Sequence, residues 1–134
     1  MSGVCMELQL KSTPACIREV EESLRQLFDR FSLDPELYPN ILISLTEAVN
    51  NAVEHGNCND TTKLVCVKVN KSRRLLRCQI SDEGGGFDPA AVPDPTTSEN
   101  LEKPGGRGVF LMRELSDRMT FKNNGSTVEL VFHL

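Results

Sequence analysis

Apolar and polar positions alternate, then lengthen their spacing, then alternate again along this chain. Val4 to Lys11 (VCMELQLK) alternates loosely and predicts an edge strand. After it, Ile17, Val20, Leu24, Leu27, Phe28 and Phe31 recur at helical spacing, with Thr13 as the expected N-cap and Pro14 as the first helical residue. A second helix is expected from about Asp34-Pro35 to about His55. Pro39 falls in or near its first turn, where a missing N–H does no harm, and Gly56 suits its C-terminal cap. TTKLVCVKVN and RRLLRCQISD read as antiparallel strands joined by a turn around Lys71-Ser72. GVFLMRELSDRM reads as a third helix. TFKNN and STVELVFHL close the chain as a hairpin around Asn123, Asn124 and Gly125. The order predicts an α+β fold, with helices on one face of a mostly antiparallel sheet. It is not a Rossmann pattern, because strands and helices do not alternate.

Composition narrows the picture. A chain of 134 residues with 39% hydrophobic content fits one domain, 1–134, with a core of its own. A net charge of −4 argues against a nucleic-acid surface, since phosphate neutralisation needs clustered Lys and Arg. No apolar run approaches the roughly 20 residues that span a bilayer, and no signal-peptide core is visible, so no membrane association is expected. Five cysteines without a Cys-x-x-Cys pair read as reduced thiols of a cytoplasmic protein; His55 and His133 lack the spacing of zinc ligands.

The second helix carries an unusual polar stripe. At 100° per residue, Ile41, Leu42, Leu45, Ala48, Val49, Ala52 and Val53 fall on one side, opposite Glu47, Asn50, Asn51, Glu54 and His55. A solvated face normally carries Lys, Arg and Glu. Asn competes for backbone hydrogen bonds and costs helix stability, which ligand binding would explain. Glu47 and Asn51 lie one turn apart and project together, a pairing suited to a hard divalent cation.

Two glycine clusters follow. DEGGGFDP ends a strand, and neither a Walker A motif nor a complete Gly-x-Gly-x-x-Gly is present. The cluster serves either a tight turn or close backbone approach to a flat ligand, with Asp82 at the strand end accepting hydrogen bonds from it. PGGRGVF sets Gly105, Gly106 and Gly108 before a helix, where free N–H groups and Arg107 suit phosphate oxygens. Between the clusters, Pro89, Pro93, Pro95 and Pro104 mark a connection long enough to be a lid.

Three boxes therefore stand in order: Glu47-Ala-Val-Asn-Asn51, Asp82-x-Gly84-x-Gly86 and Gly106-Arg107-Gly108. Together they resemble the nucleotide site of the histidine kinase-like (GHKL) ATPases, and above all the short bacterial anti-sigma factor serine/threonine kinases. The resemblance covers about Leu8 to Leu134 and implies a two-layer α/β sandwich of the Bergerat type that uses ATP and Mg²⁺. It assigns Glu47 as general base and Asn51 as the Mg²⁺ ligand bridging the phosphates. Asp82 would receive the adenine amino group, with Gly84 and Gly86 admitting base and ribose. Gly106, Arg107 and Gly108 would hold phosphates, and residues near 93 to 107 would form the ATP lid. Ser126 stands where the family usually has the first Thr of a Gly-Thr-x-Val ending, and keeps the hydroxyl for an adenine contact. The implied partners are a sigma factor, a small anti-anti-sigma protein and a second copy in a homodimer, with no direct nucleic-acid contact. A non-catalytic ATP-binding switch of the same fold, which binds and activates a phosphatase or other regulator, is the alternative.

Overall fold

The computed structural model describes residues 3–84 and 106–134. Strand β1 (Gly3–Lys11) leads through a 3₁₀ turn (Pro14–Cys16) into helix α1 (Ile17–Phe31). A second 3₁₀ turn (Pro35–Leu37) opens α2 (Tyr38–Asn51), which continues as one π turn (Ala52–Gly56). Then follow β2 (Leu64–Lys71), β3 (Leu75–Ser81), α3 (Gly106–Leu115), β4 (Arg118–Lys122) and β5 (Thr127–His133). The strands form one sheet in the order β1-β2-β3-β5-β4. Every pairing among the described residues is antiparallel.

Period-two alternation divides the sheet into two chemically different faces. Met6, Leu10, Val65, Val67, Val69, Leu76, Cys78, Ile80, Leu130 and Phe132 point inward. There they join Val20, Leu24, Leu27 and Phe28 of α1, Ile41, Leu45, Ala48 and Val49 of α2, and Val109 and Met112 of α3 in one core. The opposite face is polar, with Glu7, Lys68 and Arg77 exposed. Across it, Glu129 accepts hydrogen bonds from Gln79 (2.9 Å) and Lys122 (3.0 Å). A single layer of helices therefore suffices, because only one sheet face needs covering.

Four local details differ from the pattern-based expectation. Thr13 has extended N-cap dihedrals (φ −128°, ψ 152°) but its hydroxyl does not cap. Pro14 offers no N–H, and the Cys16 N–H already donates to the Thr13 carbonyl at 3.1 Å. The second helix tightens near Asp34, whose Oδ1 accepts the Glu36 N–H at 2.9 Å. It widens after Asn51, so Gly56 lies inside a π turn instead of capping an α-helix. The Asn57 N–H closes that turn on the Ala52 carbonyl at 2.8 Å. The third helix stops at Leu115, so Arg118 and Met119, expected as helical, are strand. Pairing decides this: the Asp117 N–H donates to the Val131 carbonyl at 2.8 Å, and its Oδ2 accepts the His133 N–H at 2.7 Å. The closing hairpin is as expected, with Asn123, Asn124 and Gly125 all at positive φ (54°, 56° and 88°).

Candidate functional site

Helix α2 presents its polar stripe at the place where β3 ends and α3 begins. Glu47, Asn50 and Asn51 are half-buried, whereas Glu54 and His55 are exposed, with their side chains 3.9 Å apart. The stripe is thus two things: an inner part enclosed by neighbours and a solvated outer end.

The inner part meets α3. Gly108 is buried, and a Cβ placed on it would lie 2.6 Å from Glu47 Oε2 and 3.4 Å from Asn51 Nδ2. An alanine there would displace the end of the Glu47 side chain and only touch Asn51. Gly106 starts the helix, Arg107 is exposed beside it, and Val109 and Met112 anchor the next turn in the core. The first and third boxes are therefore in contact. Among the described residues, neither the Glu47 carboxylate nor the Asn51 amide makes a hydrogen bond.

The second box sits one helical turn and a π turn away, at the exit of β3. The Asp82 N–H donates to the Ser126 carbonyl at 2.9 Å, and Asp82 Oδ1 accepts the Gly84 N–H at 2.8 Å. The Asp82 carboxylate rests on Gly56, where any Cβ would collide with it. A Cβ on Gly84 would in turn run into the Gly56 carbonyl. Burial pushes the Asp82 carboxyl above the ordinary carboxylate range, opposed by the Gly84 N–H and by Lys63. Gly86 and most of the expected lid, residues 93–105, lie outside the described residues. The Ser126 hydroxyl donates to the Asn123 carbonyl at 2.8 Å, so its tie to Asp82 runs through the backbone. The neighbouring Thr127 hydroxyl is 3.0 Å from Ser81 Oγ.

Two residues around this loop carry no signal in the sequence motifs. Asn57 is completely buried; its Oδ1 accepts the Glu83 N–H at 2.8 Å, and its Nδ2 donates to Ser12 Oγ and the Leu64 carbonyl, both at 3.0 Å. Ser12 is 1% exposed and donates to the Lys63 carbonyl at 2.7 Å. The polar residue directly after His55-Gly56 was the available clue, but turns commonly carry Asn for their own sake.

The arrangement suits a nucleotide. It has a recessed acceptor against bare backbone at one end. At the other, a carboxylate oxygen of Glu47 and the side-chain amide of Asn51, groups that hard cations take through oxygen, lie beside a glycine-lined helix start.

Comparison with known proteins agrees. The histidine kinase-like ATPase domain family matches residues 10–132. An anti-sigma F factor of Anoxybacillus flavithermus is 34% identical over 110 residues, 76% of this chain and 75% of its own. The serine-protein kinase RsbW of Staphylococcus epidermidis is 26% identical, over 96% of this chain and 86% of its own. The serine/threonine-protein kinase BtrW of Bordetella bronchiseptica is 28% identical, over 91% and 87%. In three dimensions the chain resembles a crystal structure of the RsbU and RsbW domains of Rv1364c from Mycobacterium tuberculosis. There the TM-score is 0.66 at 17% identity, covering 96% of this chain and 30% of that one.

Proposed function

The chain belongs to the family of histidine kinase-like ATPase domains, and from that premise we propose that it is an ATP-dependent protein-serine/threonine kinase acting as an anti-sigma factor. It phosphorylates a small anti-anti-sigma protein and sequesters a sigma factor when that antagonist is already phosphorylated. The observation that carries the reading is the packing of Gly108 against both Glu47 and Asn51. This packing sets a candidate base, a hard oxygen donor and a glycine-lined helix start within one contact cluster. The names of the relatives supply the direction: an anti-sigma factor at 34% identity, and serine and serine/threonine kinases at 26% and 28%.

Each residue then has a defined task. Asp82 accepts the adenine amino hydrogen, while Gly84 keeps the backbone clear beneath it. Gly106 and Gly108, with Arg107, receive phosphate oxygens at the start of α3. The Asn51 side-chain oxygen would hold Mg²⁺, which would supply neutralisation of phosphate charge. Glu47 orients the acceptor serine hydroxyl and takes its proton as the Oγ–P bond forms and the bond from the γ-phosphorus to the bridging oxygen breaks, releasing ADP. Catalysis of this kind needs positioning and charge neutralisation more than covalent chemistry, and the cluster is organised for both.

Purified protein incubated with Mg·ATP and its small antagonist protein should yield phosphoserine on the antagonist. Glu47→Ala should abolish that product while ATP still binds. Transfer that persists unchanged in Glu47→Ala removes Glu47 as the base. ATP binding without any phosphoprotein product leaves a nucleotide-gated binding protein.

A further inference from the structure

We infer that Asn57, braced by Ser12, is the positioning residue that sets Asp82 and Gly84 at the height where they read the base. The inference rests on the nucleotide reading above and extends it to the residue that makes the adenine end selective.

Asn57 sits at a junction of three chain segments and uses its whole side-chain amide there. Glu83 N–H can only donate and the Leu64 carbonyl can only accept, which fixes Oδ1 towards Glu83 and Nδ2 towards Leu64. The second Nδ2 hydrogen goes to Ser12 Oγ, whose own hydrogen goes to the Lys63 carbonyl. The network thus joins the exit of β1, the entry of β2 and the exit of β3. Both Nδ2 hydrogens and Oδ1 are engaged; the Asn57–Ser12 bond is buried and the other three are part-buried, so losing the amide leaves partners that water reaches only in part.

Its position gives it a specific consequence. Glu83 lies between Asp82 and Gly84, and the Asn57 bond holds the Glu83 amide. On one side the Asp82 N–H is tied to the Ser126 carbonyl; on the other the Gly84 N–H is tied to Asp82 Oδ1. The Gly56 carbonyl, one residue before Asn57, lies where a Gly84 side chain would begin. Residues 56 and 57 therefore locate the loop from both directions, Gly56 by contact and Asn57 by hydrogen bond. Without the Asn57 amide, the peptide after Asp82 loses its partner and the carboxylate loses its fixed height over Gly56. The phosphates belong to the start of α3 and to Asn51, none of which the side-chain bonds of Asn57 and Ser12 reach. The effect should therefore fall on the base and spare the triphosphate.

The test compares ATP with inosine triphosphate, whose base carries a carbonyl oxygen where adenine carries the amino group Asp82 would accept. Wild-type protein should bind ATP at least about tenfold more tightly, the scale of one hydrogen bond to a charged group. Asn57→Ala should lower ATP affinity about tenfold while inosine triphosphate affinity changes little, collapsing the ratio. Ser12→Ala should lower the ratio in the same direction by a smaller factor. Circular dichroism melts establish the folded fraction of each variant, and a merely structural role would weaken both nucleotides alike. If Asn57→Ala does not fold, the Ser12→Ala ratio decides: a fall supports the inference and an unchanged ratio overturns it. Discrimination that survives in both folded variants overturns the positioning role alone. Wild-type protein that binds the two nucleotides equally, or neither, overturns the adenine reading and this inference with it.

Discussion

The two ends of the site are built on opposite plans. At the proposed base end, Asp82, Glu83 and Gly84 are held by backbone and side-chain hydrogen bonds to Ser126, Asn57 and one another. At the proposed phosphate end, the Glu47 and Asn51 side chains have no hydrogen-bond partner among the described residues, and the bare surface of Gly108 packs against them. A base is read by shape and by one hydrogen bond, so its acceptor gains from being fixed in advance. A group that takes a proton or shares a cation must exchange partners during each turnover. Committing it to an internal hydrogen bond would have to be undone every time. On the proposed reading, the contrast separates binding from chemistry.

Substitutions should separate them too. The largest effect is expected from Glu47→Ala, which should slow phosphoryl transfer by about 10²–10⁴-fold, the usual contribution of a general base. Calorimetric ATP affinity should barely move, and a large loss of affinity would mean the two ends are not separable. Gly56→Ala should follow. Its Cβ collides with the Asp82 carboxylate, so unfolding in urea should show a loss of about 1–3 kcal/mol, typical of overpacking, together with weakened ATP binding. Normal stability and affinity would show that the loop after β3 is freer than its contacts indicate.

Gly108→Ala should be milder for the fold, within about 1 kcal/mol, because the atom it meets is the end of a flexible side chain. Its effect should appear in the transfer rate more than in ATP affinity, since it displaces Glu47. The smallest effect is the pH dependence of stability through Asp82. Burial raises its carboxyl in the folded protein, so folding favours the protonated form. That contribution is fully present below the ordinary carboxylate value of about 3.9 and is lost as pH rises through the folded value. Asp82→Asn should flatten that segment of the melting curve against pH and leave Tm at neutral pH unchanged or slightly higher. ATP binding should nevertheless be lost. A fall in neutral-pH Tm would show that the carboxylate supports the fold as well as the ligand.

Much of the fold was legible because its causes are local. The alternation of Val65, Val67 and Val69, the helical spacing of Ile17 to Phe31 and the Asn-Asn-Gly turn each announce one element. The end of α3 was not legible, because Arg118 and Met119 suit a helix and become strand only by pairing with Val131 and Leu130. Glu47, Asn51, Asp82 and Gly108 stood out in the chain because polar groups interrupt a helix and glycines exceed what capping needs. Asn57 and Ser12 did not, since a polar residue in a turn has its own local reasons.

The sequence by itself determined the order of elements, the inward face of each strand and the three polar and glycine boxes. All of these follow from periodicity and short-range backbone chemistry. Only the tertiary structure decided what Gly56, Gly84 and Gly108 make room for. Gly56 reads as a helix cap until the Asp82 carboxylate is seen lying on it, and Gly84 has a second reason to lack a side chain once the Gly56 carbonyl is seen against it. A missing side chain acquires meaning only from whatever approaches the space it leaves, and that neighbour comes from elsewhere in the chain.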